Sequence, residues 1–198
     1  MKLTLILFLI PFYLFGQVNP KLRATHEIYW CGIDFSQAKM IGSKAFRDSE
    51  SQLLENIRIG WNDVIFGEPS KYNLKDLHKH KSTIAYREVT DEINKKVEGQ
   101  NLIIDEVYEI RFDEVKYALS HYPIKSPGTI GLTFMVESFN SLKKRSYVWA
   151  VFFDMNTQEP IIMEKYVGVP GGKGLLNYWA NSFEEVVDKT LRDFYYYK

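Results

Sequence analysis

The residues with the clearest chemical potential form a glycine-rich segment near the C-terminus, Gly168-Val-Pro-Gly-Gly-Lys-Gly174. A segment with helical periodicity follows it, and backbone N–H groups at a helix start can bind anions with help from the helix dipole. The candidate ligand or anion residues are Gly171, Gly172, Lys173, Gly174 and Asn177. The segment fails as a nucleotide P-loop, because its glycine spacing is one residue short and Gly174 replaces the required Ser or Thr. A tight strand-to-helix turn that needs positive φ explains the same glycines.

Histidines provide weak candidates for a metal site. His78 and His80 flank Lys79 in a polar segment, and imidazole is a common metal ligand. No third ligand lies nearby in the sequence, so no metal and no other cofactor is predicted. His26-Glu27 resembles the start of a zinc-protease helix, but Trp30 stands where the second His is required.

The sequence gives little support for covalent or acid–base catalysis. The sequence contains no G-x-S-x-G motif, and the single cysteine, Cys31, lacks a nucleophile signature. Asp34 and Asp154 each end an apolar segment, and two carboxylates in one cleft could transfer protons. Aspartates at strand ends more often form turns through bonds to their own backbone. We therefore predict no catalytic residue, and a carboxylate-based hydrolase stays open as an alternative.

The N-terminus predicts export. Met1-Lys2 precedes an apolar run from Leu3 to Phe15, and Gly16-Gln17 follows, as in a secretory signal peptide cleaved after a small residue. The run is too short to span a membrane, which needs about 20 residues. We expect residues 1–16 to be the signal, 17–25 a flexible lead-in and 26–198 a single domain. The mature protein would be periplasmic or extracellular, without a transmembrane segment.

Charge argues against nucleic acid as a partner. The chain has 25 basic and 25 acidic residues, and loss of Lys2 with the signal leaves 24 basic residues and a net charge of −1. Nucleic-acid-binding proteins usually carry a basic excess or patch. The longest basic cluster, Lys143-Lys144-Arg145, falls in a predicted hairpin turn, where solvated charge is ordinary. We predict no binding of nucleic acid.

Hydrophobic periodicity defines the C-terminal third. Residues 130–136 alternate with period two, residues 146–154 are apolar on both faces, and residues 161–169 complete a third strand. Short connections between them predict antiparallel hairpins. Leu175 to Tyr195 then forms an amphipathic helix with one apolar stripe. Its inward residues are Leu176, Trp179, Ala180, Phe183, Val186, Val187, Thr190 and Phe194.

The preceding segments complete the predicted fold. His26–Phe35 reads as a strand, a helix runs from Ser43 to Gly67, a second helix covers Thr83–Val97, and Val107–Phe112 forms a weak strand before a short helix. The order β-α-α-β-α-β-β-β-α predicts an α+β two-layer sandwich. Its sheet would have four to five mostly antiparallel strands, with the helices packed on one face. The main alternative pairs the first strand in parallel with a later one.

Three stretches carry a resemblance to a family. Gly32-Ile-Asp-Phe-Ser-Gln-Ala-Lys39, Phe153-Asp-Met-Asn-Thr157 and Gly171-Gly-Lys-Gly-Leu-Leu-Asn-Tyr-Trp-Ala180 together resemble a family of small secreted bacterial proteins. The G-G-x-G-x-x-N-Y-W-A run is the most specific of them. The resemblance brings no activity, ligand or catalytic residue. The element order is also similar to envelope accessory domains such as the N-terminal domain of the Tol-system propeller protein, which is analogy of fold alone.

These observations favour a non-enzymatic binding or accessory module of the bacterial cell envelope, with a protein or an envelope component as its partner. A small metal-dependent or carboxylate-based hydrolase is the first alternative. A small-molecule carrier with a pocket between helix and sheet is the second. A void lined by Trp149, Trp179 and Phe183 would favour the carrier.

Overall fold

A computed structural model describes residues 20–77, 82–125 and 128–196 of the chain. Seven strands lie in this part: β1 (Glu27–Asp34), β2 (Lys39–Ile41), β3 (Ser82–Ala85), β4 (Ile103–Ile104), β5 (Ile130–Asn140), β6 (Arg145–Asp154) and β7 (Pro160–Gly168). The α-helices in it are α1 (Pro20–Ala24), α2 (Ser43–Phe46), α3 (Glu50–Glu55), α4 (Trp61–Gly67), α5 (Glu88–Asn94), α6 (Phe112–Leu119), α7 (Leu175–Ala180) and α8 (Ser182–Tyr196). Short 3₁₀-helices cover Arg47–Ser49 and Leu74–Leu77, and a π-helical turn covers Asn56–Gly60.

The C-terminal unit agrees with its sequence pattern. Strands β5, β6 and β7 form two antiparallel hairpins, with Ile130 opposite Asp154 and Ser146 opposite Gly168. The predicted helix is divided at Asn181 into α7 and α8, but its apolar stripe faces the core as expected. Trp179 and Phe183 are buried, and the Trp179 ring stacks on Phe139 at 4.5 Å between ring centres.

The prediction of a mostly antiparallel sheet is wrong. Four of the six strand pairings are parallel: β1 with β3 and β5, and β2 with β4 and β5. Strands β1 and β2 lie one after the other along the same edge of β5, and the sheet curls into a half-barrel. The helices between β1 and β3, and between β3 and β5, act as crossovers that return the chain to the same end of the sheet. The alternative, in which the first strand runs parallel to a later one, is therefore the arrangement formed.

The prediction of helices on one face is also wrong. Helices α3, α4, α7 and α8 pack on one face, while α6 covers the other face with Val115 and Leu119. Strand β5 serves both layers because successive side chains alternate, so Phe134 joins the first core and Met135 the second. The domain thus has three layers.

Two local predictions need correction. The segment Thr83–Val97 does not form one helix, because Ser82–Ala85 pairs with β1 as strand β3 and only Glu88–Asn94 is helical. Residues 107–111 form no strand, and the strand pairing in this region is made by Ile103–Ile104. In both places a strand partner distant in sequence decided the conformation over local preference.

Most of the N-terminal segment for which a signal and a lead-in are predicted lies outside the described residues. Residues 1–16, the predicted signal, lie outside them. Five residues of the predicted lead-in form helix α1, where Leu22 is buried and Lys21 forms an ion pair with Asp154. No helix in the described ranges is long and apolar enough to cross a membrane.

Candidate functional site

Strand β1 has an edge that only part of the sheet covers. Strand β3 pairs with it from Glu27 to Trp30 and then ends at Ala85. Beyond Trp30 the edge is covered by side chains from α4 and α5. Because β3 is short, helices α4 and α5 cover the rest of this edge of β1.

Buried polar side chains replace the missing strand. The Ile33 N–H donates to Asn62 Oδ1 at 2.8 Å, and the Phe35 N–H donates to Asn94 Oδ1 at 2.8 Å. Asn94 Nδ2 donates back to the Ile33 carbonyl at 2.8 Å, and the Thr90 hydroxyl donates to the Cys31 carbonyl. Because a buried backbone group without a partner costs about 1–3 kcal/mol, these side chains hold β1 in place.

A cavity of about 190 Å³ lies where β3, β1 and α4 meet, and it is partly open to solvent. Its lining residues are Trp30, Ile65, Phe66, Pro69, Tyr72, Asn73, Leu74, Thr83 and Ala85. Most of them are apolar or aromatic, as in small-molecule sites generally. An apolar cavity of about 150 Å³ is large enough to bind benzene. This cavity therefore matches one aromatic ring with a small substituent.

Aromatic rings form the cavity wall. The Trp30 and Phe66 rings stack at 5.8 Å between centres with an interplanar angle of 27°. The Arg87 guanidinium lies 5.3 Å from the centre of the Phe66 ring, held by Asp63 and Asp91. Phe66 is thus in contact with both Trp30 and Arg87 before any ligand arrives.

Tyr72 contributes a polar group to this cavity. Its side chain is 3% exposed, and its hydroxyl has no hydrogen-bond partner among the described residues. Burial, together with the charges of Glu68 and Glu184, raises the pKa of Tyr72, so the hydroxyl stays protonated at neutral pH. A buried hydroxyl without a partner is unfavourable, so this hydroxyl costs the folded protein stability.

The predicted glycine loop lies away from this cavity, between β7 and α7. Gly172 and Gly174 have φ of 95° and 78°, which agrees with a tight turn. The loop is closed internally, because the Gly171 N–H donates to the Tyr178 carbonyl and Asn181 Nδ2 donates to the Gly171 carbonyl. Lys173 and Asn177 are exposed. Helix α7 has only six residues, so it has only a short helix dipole to attract an anion. The anion site stays a prediction without structural support.

The predicted metal ligands cannot be placed. His78 and His80 lie outside the described residues. Within the described ranges no group of three or more His, Cys, Asp or Glu side chains could hold a metal ion. His121 is exposed, and its Nδ1 lies 2.8 Å from the Tyr117 carbonyl in the last turn of α6, which agrees with a capping role.

The two strand-end aspartates are far apart. Asp34 lies beside Met135 and Asp154 beside Ile130, five positions along β5, or roughly 16 Å at 3.3 Å per residue. Asp34 is fully buried and accepts hydrogen bonds from the Ser36 N–H and the Tyr122 hydroxyl. Burial raises the pKa of Asp34 more than these bonds lower it. Asp34 and Asp154 therefore do not share one cleft.

Trp149, Trp179 and Phe183 do not form the pocket that the small-molecule carrier hypothesis predicted. Trp179 and Phe183 belong to the core on one face of the sheet, and Trp149 belongs to the core on the other. The three rings therefore cannot line one space. The cavity at Trp30 does lie between a helix and the sheet, where the carrier hypothesis placed its pocket.

Sequence reasoning missed the residues that build this cavity. A signal was available only for the helix-covered edge of β1, where the polar residues Thr90 and Asn94 fall on the inward face of α5 beside Val89. Buried polar positions on an apolar helix face indicate bonds to a neighbouring backbone. Nothing in the sequence linked Trp30 to Phe66 and Tyr72, which lie about 40 residues away.

Comparison with known proteins adds no family or function. No protein-family model matches the chain, and no curated protein matches it. The resemblance to small secreted bacterial proteins therefore stays a prediction.

Proposed function

We propose that this chain is an exported, non-enzymatic binding module of the bacterial cell envelope that receives one flat apolar group in the Trp30–Tyr72 cavity. The observation that carries the proposal is a cavity partly open to solvent, with a mostly apolar and aromatic lining and room for one aromatic ring. The group bound is a flat apolar ring, and its source is an envelope component.

The described lining of the cavity is that of a binding site. Trp30 and Phe66 provide contact area, since aromatic side chains dominate burial energetics. The lining residues that the structure describes are mostly apolar or aromatic, so binding is the activity that they support.

Titration with small aromatic probes tests the site. We expect p-cresol and benzyl alcohol to shift the amide resonances of Thr83 and Ala85 and the indole resonance of Trp30 in a saturable way. Toluene should bind at least as tightly as p-cresol, because the described lining is mostly apolar. Absence of shifts at these positions with every probe at millimolar concentration would overturn the proposed site.

Three variants sharpen this test. Ala85→Leu fills the cavity from the exposed edge strand and should abolish probe binding. Ala45→Leu, an exposed alanine at a different cavity, is the matched control and should leave binding unchanged. Tyr72→Phe should leave probe binding unchanged, because the buried hydroxyl is shielded from the probe. It should leave the unfolding free energy unchanged or raise it by up to about 1 kcal/mol, because the hydroxyl lost had no partner.

Export is tested separately. The positive N-terminus and apolar run of residues 2–15 support it. Mass spectrometry of the protein from its producing cells should give a chain that begins at Gln17 in the periplasmic or extracellular fraction. An intact Met1 in the cytosolic fraction would contradict export while leaving the ligand site standing.

A further inference from the structure

A second groove lies far along the sheet from the Trp30–Tyr72 cavity, beside the β5–β6 turn. Its volume is about 210 Å³. One wall is the loop of residues 105–109 after β4, and the other is the turn that carries Leu142 and Lys143. Ser138, Asn140 and Tyr147 also line it. We call the first wall the acidic loop and residues 142–145 the basic turn.

Both walls expose an aliphatic side chain. Val107 of the acidic loop is 84% exposed and Leu142 of the basic turn is 70% exposed, the two highest values among the large hydrophobic residues of the described chain. Single exposed apolar residues are ordinary on a protein surface. Here the two border one groove, which gives the surface an apolar centre that water solvates poorly.

The two walls carry opposite charge. Asp105, Glu106 and Glu109 of the acidic loop and Lys143 of the basic turn line the groove. Lys144 and Arg145 add positive charge to the same turn outside the groove lining. Hydrogen bonds from the Ser43 N–H and hydroxyl lower the pKa of Asp105, which therefore stays ionised. None of these six side chains takes part in an ion pair with another residue of the described ranges.

We propose that this surface is a two-fold interface between two copies of the chain, in which the basic turn of each copy lies against the acidic loop of the other. A two-fold interface uses the same patch on both subunits, so the patch must be complementary to itself. An acidic half, a basic half and two aliphatic side chains bordering one groove meet this requirement. A Lys143 side chain from the second copy reaches the acidic loop.

The two kinds of contact have different roles. Exposed ion pairs contribute about 0–1 kcal/mol each, so the charges mainly orient the two copies. Burial of Val107 and Leu142 at the centre supplies most of the favourable free energy. We therefore expect a reversible dimer whose population rises with concentration and falls at high salt, because salt screens the orienting charges.

Sedimentation velocity on the mature chain provides the first test. The proposal expects a shift from monomer to dimer between micromolar and millimolar concentration at low salt. A chain that sediments as monomer over this whole range overturns the proposal, whether or not the groove later proves to bind a basic peptide.

Charge reversal provides the decisive test. The pair Glu106→Lys with Glu109→Lys, and separately the pair Lys143→Glu with Lys144→Glu, should each weaken dimerisation at least about tenfold through like-charge repulsion. An equimolar mixture of the two variants should form a heterodimer, because the reversed charges complement each other. Glu55→Lys and Lys95→Glu, exposed charges elsewhere, should leave the dimer unchanged.

Circular dichroism confirms that each variant is folded before sedimentation. Dimers that persist in both reversed variants would place the interface on another face and refute the assignment. A mixture that stays monomeric would refute the reciprocal pairing of acidic loop and basic turn.

Discussion

Replacement of Asn94 by alanine should destabilise the protein strongly, although Asn94 touches no predicted site. Its side chain is fully buried and makes two bonds to the edge of β1. Oδ1 accepts from the Phe35 N–H at 2.8 Å, and Nδ2 donates to the Ile33 carbonyl at 2.8 Å. Alanine at this position leaves both backbone groups buried beside an apolar helix.

The expected loss of unfolding free energy depends on which hydrogen bonds the two backbone groups keep. The Phe35 N–H loses its acceptor, and a buried donor without a partner costs about 1–3 kcal/mol. The Ile33 carbonyl keeps a longer contact of 3.5 Å with Asn62 Nδ2, so its loss adds about 1 kcal/mol. We expect the free energy of unfolding to fall by about 2–4 kcal/mol, a large part of the 5–15 kcal/mol typical of a domain.

Urea unfolding of the mature chain, followed by tryptophan fluorescence, measures this loss. With an m value of about 2 kcal/mol/M, the midpoint should fall by roughly 1–2 M. Asn177→Ala is the matched control, because Asn177 is exposed and its effect should stay within about 0.5 kcal/mol. A loss below about 1 kcal/mol for Asn94→Ala would refute the view that side chains of α5 substitute for a strand beside β1.

Three further predictions concern other positions. Gly168→Ala should cost several kcal/mol in urea unfolding, because a Cβ would meet the Ser182 carbonyl, whereas Gly171→Ala, with open space around it, should cost less than about 1 kcal/mol. Asp34→Asn should become more stable relative to the parent as pH rises above about 4, the unfolded-state pKa of Asp. Burial raises the pKa of Asp34 in the folded protein, so the parent protein loses stability as the pH rises through that pKa. A difference between the urea midpoints of the variant and the parent that does not change with pH would contradict this. Burial also raises the pKa of Cys31, so a thiol reagent should label it only as fast as the protein unfolds; rapid labelling of the native protein would count against its burial.

The sequence by itself determined the C-terminal unit. Period-two alternation in residues 130–136 and a 3.6-residue stripe from Trp179 to Phe194 specified which side chains face the core, and the structure buries them. Short turns between the strands specified antiparallel neighbours. These features are local, because periodicity and loop length are set by residues within one or two elements of each other.

Only the tertiary structure decided the neighbours of β1, the use of both sheet faces and the cavity at Trp30. An apolar strand pattern indicates burial but does not name its partner, so β1 could join β5 in either direction. Residues 82–85 became a strand because the edge of β1 was there to pair with. The cavity depends on where that short strand ends, and chain segments about 40 residues apart meet there through packing alone.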